Sequence, residues 1–393
     1  MRPRFEPAPG SPPSGPRLGR LQTAHGTLET PAFLPVATYG AIRGLAPGEL
    51  LGAGVQGLLA NTYHLHLRPG EDVVERLGGL HRFMAWPAPL LTDSGGYQLF
   101  SLNHLVERSE GGVRFRSPID GDECQLTPES CIAVQEKLGA DLIVTLDEFE
   151  PVRSPSDAAS AQREREHMER TLRWAKRGRD AQRREDQLLF GIVQGGGSED
   201  LRRESAERTR ELGFEAFAIG GLGLGEPPEH RARLLAAALE PLPGSSPRYL
   251  MGLGHPEDLI AGVENGVDLF DCVVPTRHGR HGSVFTRDGG LNLRNARFRD
   301  DPQPVGADCR CVVCRHHSRA YLRHLIVSEE ALGARLASLH NLHFYSVLLD
   351  EMRRAIAVGR FVSWKSSWLS RYRREASGGA RSGGSRAATH SAA

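Results

Sequence analysis

Four polar residues and one glycine follow short apolar runs of the sequence, where they could form a reaction centre. Asp93, Asp147, Gln194, Gly221 and Asp271 each stand at or just beyond the end of such a run. If the runs are parallel strands, their carboxyl ends meet at one face, where barrel enzymes place catalytic groups. Each residue alone is also typical of a helix cap or a polar loop. Together, several carboxylates and an amide predict a site for nucleophilic and acid–base chemistry.

A second group is the segment CRCVVC, which supplies Cys309, Cys311 and Cys314. Three thiolates and one imidazole make a closed tetrahedral zinc set, so a structural metal is predicted. The alternatives are a catalytic zinc with an open position and three free thiols without metal. Five downstream histidines could supply the fourth ligand: His316, His317, His324, His340 and His343.

The pair His64 and His66 offers another possible metal site, since two histidines separated by one residue at a strand end bind catalytic metals in amidohydrolase barrels. The companion histidines and lysine of such sites are missing from the later strands. Asp147, Gln194 and Gly221 stand there instead, so this reading is not preferred.

The elements that must position these residues alternate between short apolar runs and longer amphipathic stretches. Amphipathic stretches at 156–177, 198–212 and 256–266 predict helices. Eight strands separated by helices favour a closed (β/α)8 barrel, a TIM barrel, over an open sheet. Residues 94–140 are too long for one crossover, which predicts an inserted hairpin or lid. The eight candidate strands are 32–37, 56–62, 89–94, 141–148, 188–195, 216–222, 248–254 and 268–273.

Composition limits the class of protein. The 393 residues are 39% hydrophobic and 25% charged, without an apolar run long enough to span a membrane. The N-terminus lacks the apolar core of a secretory signal, so we expect a soluble cytoplasmic protein. Residues 1–18 are rich in Pro and Gly, and 376–393 are mainly Gly, Ser and Ala. Both ends are predicted to be disordered tails.

Charge is distributed unevenly along the chain. The formal net charge is +1, yet residues 315–393 carry 13 Lys and Arg against 5 Asp and Glu. A basic segment on an otherwise acidic chain indicates an anionic partner, with nucleic acid as the first candidate. The alternative is a solvated Arg-rich helix face.

A series of motifs makes the prediction more specific. In order along the chain, it resembles the motif series of the bacterial tRNA-guanine transglycosylases over roughly residues 20 to 370. The motifs are TPAFLPVATYGA (30–41), NTYHLHLRPG (61–70), DSGGYQ (93–98), LDE (146–148), GIVQGG (191–196), IGGLGLGE (219–226), LMGLGHPEDL (250–259), FDCVVPTRHGRHG (270–282), CRCVVC (309–314) and HNL (340–342).

The resemblance implies an enzyme of queuosine biosynthesis. Such an enzyme exchanges guanine at the first anticodon position of tRNAs for Asp, Asn, His and Tyr with a 7-deazaguanine, usually preQ1. By motif position, Asp271 is the nucleophile, which forms a covalent ester with the ribose, and Asp93 is the general acid/base. A retained configuration at C1′ requires two displacements, as in retaining glycosidases, and two carboxyl groups suit that reaction.

The resemblance also assigns binding residues. Asp147 would accept the ring N–H and exocyclic amine of guanine, and Tyr97 would offer a ring to the base. The remaining assignments concern the base, the RNA and one structural zinc ion per chain. They are Gln194 and the Gly221 N–H for O6, the Leu222 carbonyl for the aminomethyl group of preQ1, Arg277 and Arg280 for the anticodon loop, and His340 as the fourth zinc ligand.

The same resemblance predicts the domain organisation. It implies a catalytic barrel over residues 19–305 and a zinc-binding subdomain with C-terminal helices over 306–375. Members of the family are usually homodimers, so a homodimer is expected.

Four residues depart from the family pattern. Phe149 stands where Cys is common, and Leu224 stands where Val is common. His255 and His66 replace a usual Thr or Lys and a usual Met. None of these changes removes a catalytic group, but they make the preferred incoming base uncertain. Two other functions are alternatives: a relative that modifies another nucleic acid, and a non-catalytic partner subunit that binds zinc and RNA.

Overall fold

The computed structural model describes residues 1–101, 106–149 and 158–378. The chain divides into two compact units. The first unit consists of residues 1–47 and 55–273, and the second of 48–54 and 274 onward. This division lies at 273/274, whereas the predicted boundary at 305/306 falls inside the second unit. The difference arises because a β-hairpin that precedes residue 305 packs with the C-terminal helices.

A three-stranded antiparallel sheet opens the first unit and corrects one prediction. Its strands are β1 (Arg4–Pro7), β2 (Gly19–Thr23) and β3 (Gly26–Thr30). Residues 1–18 were predicted to be disordered, but Arg4 to Pro7 pair with β2. Arg17 is also buried and forms an ion pair with Asp268. Phe5, which packs against the barrel core, and this buried ion pair help to order a segment whose composition is otherwise that of a loose tail.

Eight parallel strands form the predicted (β/α)8 barrel. A bridge between Val36 and Leu59 joins the first strand to the second, so the sheet returns on itself. All eight predicted strands are present, and their continuous apolar runs reflect burial on both faces of a parallel sheet. In chain order they are β4 (Ala32–Pro35), β5 (Leu58–Ala60), β6 (Leu90–Thr92), β10 (Leu142–Val144), β11 (Leu188–Val193), β12 (Ala216–Ile219), β13 (Arg248–Leu250) and β14 (Leu269–Cys272).

An antiparallel sheet follows β6, where the sequence predicted an inserted hairpin. It has three strands, β7 (Val106–Ser109), β8 (Gly112–Arg116) and β9 (Glu123–Leu126). Helices connect the barrel strands, and a helix is present at each of the three predicted positions. The helices of this part of the chain are α1 (Pro47–Gly52), which runs into the second unit, α2 (Thr62–Leu67), α3 (Glu71–Arg76), α4 (Gly79–Met84), α5 (Gly96–Ser101), α6 (Pro128–Leu138), α7 (Ala158–Ala181), α8 (Glu199–Glu211), α9 (Pro228–Leu239) and α10 (Pro256–Glu264).

At the amino-terminal side of β6 and β10, two histidines share one buried carboxylate. His25 Nδ1 lies 2.8 Å from Asp141 Oδ1, and His81 Nε2 lies 3.1 Å from Oδ2. The two imidazole rings stack with their centroids 3.4 Å apart. The Leu90 N–H also donates to Asp141, so this cluster ties the turn after β2, helix α4 and strand β6 together.

Among its described residues after 273, the second unit contains a two-stranded hairpin, five α-helices and a short 3-10 helix (Ala296–Phe298). Its elements are α11 (Val274–Arg280), β15 (Ser283–Thr286), β16 (Gly289–Asn292), α12 (Val312–His316), α13 (Arg319–Val327), α14 (Ala331–Ala357) and α15 (Phe361–Gly378). Helix α15 includes residues 376–378, which were predicted to lie in the C-terminal tail. The remainder of that predicted tail, 379–393, lies outside the described residues. No helix in the described ranges has the length and apolarity needed to cross a bilayer.

Candidate active site

Asp93 follows β6 directly and is held by donors on both carboxylate oxygens. The Thr62 N–H donates to Oδ1 over 2.8 Å, while the Asn61 and Gln98 side-chain amides donate to Oδ2. The side chain is buried, and burial raises the pKa of Asp93 although these hydrogen bonds act in the opposite direction. A carboxyl group with a raised pKa and a fixed orientation is suited to proton transfer. The sequence did not single out Asn61 or Gln98.

Asp271 lies within β14 and is oriented through one oxygen. The Tyr249 hydroxyl donates to Oδ1 over 2.6 Å, and the Gly252 N–H donates to the same atom over 2.8 Å. Among the described residues no donor reaches Oδ2. Burial raises the pKa of Asp271 to about 6, and the charge of Asp93 adds to this rise. At neutral pH Asp271 is therefore ionised, with one oxygen fixed and the other available for attack on an electrophile.

Tyr249 was missed by the sequence analysis, although it lies in a predicted strand. It is fully buried inside the barrel, and its ring packs edge-on against Phe190. A hydroxyl at that depth needs an acceptor. The only signal in the sequence was a tyrosine, an aromatic residue with a polar end, inside a predicted strand.

Asp147 and Gln194 form a hydrogen-bonded pair at the ends of β10 and β11. Gln194 Nε2 donates to Asp147 Oδ2 over 2.7 Å, and the Ser94 hydroxyl donates to Oδ1 over 3.4 Å. Burial raises the pKa of Asp147 to about 6, and Asp93 contributes to the rise. Because Asp93 affects the pKa of both other aspartates, the three predicted carboxylates share one electrostatic site. Glu148, the other acid of the LDE motif, instead pairs with Arg170 at 2.6 Å.

The loop after β12 lies against Gln194. A Cβ atom on Gly220 would stand 2.4 Å from Gln194 Nε2, and one on Gly221 would stand 2.4 Å from Oε1. Gly221 also has a φ of +68°, so glycine is required there by both space and conformation. Next along the chain, the Gly223 N–H donates to Glu226. Because carbonyl and N–H point in opposite directions across a trans peptide, the Leu222 carbonyl faces away from Glu226.

Two aromatic residues lie at the exposed edge of this group. Tyr97 is 54% exposed, so its ring is accessible to a planar ligand. Phe149 lies beside it with a centroid distance of 6.4 Å and an angle of 12° between the rings, and it also contacts Phe100 at 4.8 Å. Phe149 therefore belongs to the aromatic edge that contains Tyr97.

The two other departures from the motif pattern have structural partners. His66 Nδ1 lies 2.7 Å from Glu71, and the hydrogen bond to Glu71 raises the pKa of His66 despite its burial. His255 caps α10, and its N–H donates to Asp258 over 3.3 Å. Within the described residues, His64 and His66 do not belong to a cluster of three metal-ligating side chains.

The second unit contains the predicted metal site. The thiols of Cys309, Cys311 and Cys314 lie 3.9, 3.5 and 3.4 Å from His340 Nδ1, so of the five candidate histidines His340 completes the set. Tetrahedral coordination with usual zinc bond lengths puts ligand atoms roughly 3.5–3.8 Å apart. His340 Nε2 lies 2.8 Å from the Phe285 carbonyl, which leaves Nδ1 free of a proton for a metal. These four residues can hold a metal ion.

The remaining predicted site residues are in the same unit. Arg277 and Arg280 are on α11, Arg277 exposed and Arg280 partly buried.

Comparison with known proteins supports the motif series. Residues 13–374 match the family model described as queuine tRNA-ribosyltransferase. A queuine tRNA-ribosyltransferase of Methylobacillus flagellatus is 50% identical over 90% of this chain and 94% of its own length. Those of Nitrosomonas eutropha and Symbiobacterium thermophilum are 51% and 50% identical, over 88% and 95% of this chain and 94% and 92% of their own lengths. The chain therefore belongs to the queuine tRNA-ribosyltransferase family, whose members are pentosyltransferases.

Proposed function

We propose that this protein is a tRNA-guanine transglycosylase of queuosine biosynthesis. In this proposal it replaces guanine at the first anticodon position of tRNAs for Asp, Asn, His and Tyr with preQ1. The observation that carries the proposal is the presence of Asp93 and Asp271 in one buried site with different hydrogen-bond environments. Among residues 1–101, 106–149 and 158–378, donors reach both oxygens of Asp93 but only one oxygen of Asp271. Such a pair can divide nucleophilic and proton-transfer roles.

The reaction proceeds by two displacements. Oδ2 of Asp271 attacks C1′ of the target nucleotide, the C1′–N9 bond breaks, and guanine leaves with a proton supplied by Asp93. The incoming base then gives its N9 proton to Asp93 and attacks C1′, which breaks the ester with Asp271. Two inversions retain the configuration at C1′. The base must leave its stack to reach the site, and anticodon-loop bases are already partly unstacked.

Recognition of the base follows from the donors and acceptors around it. Asp147 accepts the ring N–H and exocyclic amine of guanine, and Gln194 Nε2 has a second hydrogen for O6. The Gly221 N–H also donates to O6. The Leu222 carbonyl accepts from the aminomethyl group of preQ1, and the exposed ring of Tyr97 stacks on the base.

The second unit has a structural role and an RNA-binding role in this proposal. Cys309, Cys311, Cys314 and His340 hold one zinc ion, which stabilises the local fold and supplies no catalytic chemistry because all four positions are filled by protein. Arg277 and Arg280 contact the anticodon loop. The protein acts in the cytoplasm as a homodimer.

Labelled-guanine exchange tests this proposal. The purified protein is incubated with labelled guanine and an anticodon stem-loop that contains U-G-U, and label in RNA is counted. Incorporation that requires the target G supports transglycosylation, and an otherwise identical stem-loop with A in place of that G is the control. Gel retardation of the stem-loop without incorporation would instead support a non-catalytic RNA-binding subunit. Incorporation into other nucleic acids but not into this stem-loop would support a different substrate.

A further inference from the structure

Arg202 has no assigned role, yet it lies behind the loop that faces the base in the proposed site. It is on α8, and its side chain is fully buried. Nε donates to the Gly196 carbonyl over 3.0 Å, Nη1 donates to Gly220 over 3.0 Å, and Nη2 donates to Gly221 over 3.3 Å. In the described part of the chain this guanidinium makes no ion pair. All of its hydrogen bonds go to the backbone of the loops after β11 and β12.

Burial of a cation without a paired carboxylate costs free energy, which the hydrogen bonds of its N–H groups must offset. Burial lowers the pKa of Arg202 to about 10, and the charges of Glu226 and Glu164 oppose that shift. The side chain therefore stays positively charged at neutral pH. Its charge acts on the three carbonyl groups to which it donates.

The hydrogen bonds of Arg202 fix the direction of two neighbouring N–H groups. Across a trans peptide the carbonyl and the next N–H point in opposite directions. Since the Gly220 carbonyl points at Arg202, the Gly221 N–H points away from it. Since the Gly221 carbonyl also points at Arg202, the Leu222 N–H points away as well. The left-handed conformation of Gly221 allows both N–H groups to lie on one side, an arrangement that binds negatively charged atoms.

The positive charge also polarises these two peptide groups. A cation at the carbonyl oxygen draws electron density from the peptide and makes its N–H a stronger donor. A guanine that leaves C1′ gains negative charge, part of which resides on O6. Donors oriented in advance stabilise such charge more in the transition state than in the ground state.

We propose that Arg202 is a positioning residue that orients and polarises the Gly221 and Leu222 N–H groups toward the 6-oxygen of the base, and so sets the preference for 6-oxopurines. This inference rests on the proposed base exchange. In this inference Arg202 does not touch the base, yet it controls which bases are accepted through their 6-oxygen.

The test compares a base that has the 6-oxygen with one that lacks it. For wild type and for Arg202→Met and Arg202→Lys, we measure kcat and KM for labelled guanine and the inhibition constant of 2-aminopurine, which keeps the 2-amino group but has no 6-oxygen. Arg203→Met is the matched control, because Arg203 is the next residue of α8 and pairs on the surface with Asp200 and Glu240. Thermal unfolding of each variant is measured in parallel.

The expected result is that kcat/KM for guanine falls at least about tenfold in Arg202→Met, while inhibition by 2-aminopurine changes less than about twofold. The kcat/KM of Arg202→Lys for guanine should lie between those of wild type and Arg202→Met. Arg203→Met should match wild type. Arg202→Lys retains the charge, so it decides the question if Arg202→Met does not fold. The inference would be overturned if a folded Arg202 variant lost guanine exchange and 2-aminopurine binding by the same factor, or if neither quantity changed. An absence of exchange in wild type would instead overturn the proposed function.

Discussion

The Tyr249 hydroxyl donates a 2.6 Å hydrogen bond to the same oxygen of Asp271 that accepts from the Gly252 N–H. Both donors favour the carboxylate form, and they limit the rise that burial causes in the pKa of Asp271 to about 6. In the proposed mechanism, Asp271 must be ionised to attack C1′. Activity is therefore retained above this pKa and lost as the pH falls through it.

A pH profile with Tyr249→Phe tests this relationship. In wild type, kcat/KM should fall below pH 6 by about tenfold per pH unit for each carboxylate that must be ionised, and both Asp271 and Asp147 have a pKa of about 6. Loss of the hydroxyl removes an interaction that lowers the pKa of Asp271, so the acid limb should move to higher pH. Asp147 also has a pKa of about 6, so its titration contributes to the same acid limb. Gln194→Glu removes the amide that donates to Asp147 and leaves the partners of Asp271 in place, so it serves as the comparison variant. An acid limb that stays in place in Tyr249→Phe would show that Asp271 does not control it.

The buried ion pair of Arg17 and Asp268 should be a main source of stability at the N-terminus. Both side chains are fully buried, and removal of Arg17 leaves Asp268 with the Arg248 N–H and the charge of Arg248 but without an ion-pair partner. Arg17→Met should lower the free energy of unfolding by about 3–5 kcal/mol. Arg20→Met should lower it by less than about 1 kcal/mol, because its pair with Glu29 is exposed. Denaturant unfolding measures both changes, and equal effects would contradict the assigned role of the buried pair.

Arg17 also shows where sequence patterns stop being informative. The eight barrel strands could be predicted because a parallel strand buried on both faces reads as an apolar run, and the polar residues after these runs indicated Asp93, Asp147 and Gln194. Arg17 lies in a Pro- and Gly-rich segment, and its partner is distant in sequence. Tyr249 and Arg202 were missed for the same reason. Their roles arise from tertiary contacts that no local spacing encodes.

Metal analysis should give one zinc ion per chain. Cys311→Ser should abolish zinc binding and lower the stability of the second unit, because a serine hydroxyl does not replace a thiolate ligand. Cys124→Ser is the matched control, since Cys124 is outside the cluster. Reduced wild-type protein that contains no metal, or a Cys311→Ser protein that still binds one zinc ion, would contradict this assignment.

Base selection should reflect the size of Phe149 and Leu224. Both are larger than the Cys and Val common at these positions in the resembling family, and Phe149 lies beside Tyr97 at the exposed aromatic edge. Queuine carries a bulky cyclopentenediol, so we expect it to be rejected while guanine, preQ0 and preQ1 are accepted. The discrimination should be at least about 1–3 kcal/mol, or roughly 10- to 200-fold in kcat/KM.

Kinetics with each base as acceptor measures this selectivity. The double variant Phe149→Cys, Leu224→Val should gain activity with queuine, and Phe100→Leu tests whether any loosening of the aromatic edge has the same effect. Efficient use of queuine by wild type would overturn the prediction. A double variant without any gain would show that these two positions do not set the limit.

The most direct measurement for the proposed function is the detection of a covalent protein–RNA adduct. Wild-type protein and the anticodon stem-loop are mixed with a limiting amount of acceptor base and separated under denaturing conditions. We expect an adduct in wild type and none in Asp271→Asn, which should still bind the stem-loop because the amide keeps the shape of the side chain and loses only its charge. An adduct that persists in Asp271→Asn and disappears in Asp93→Asn would show that the two aspartates have the opposite roles.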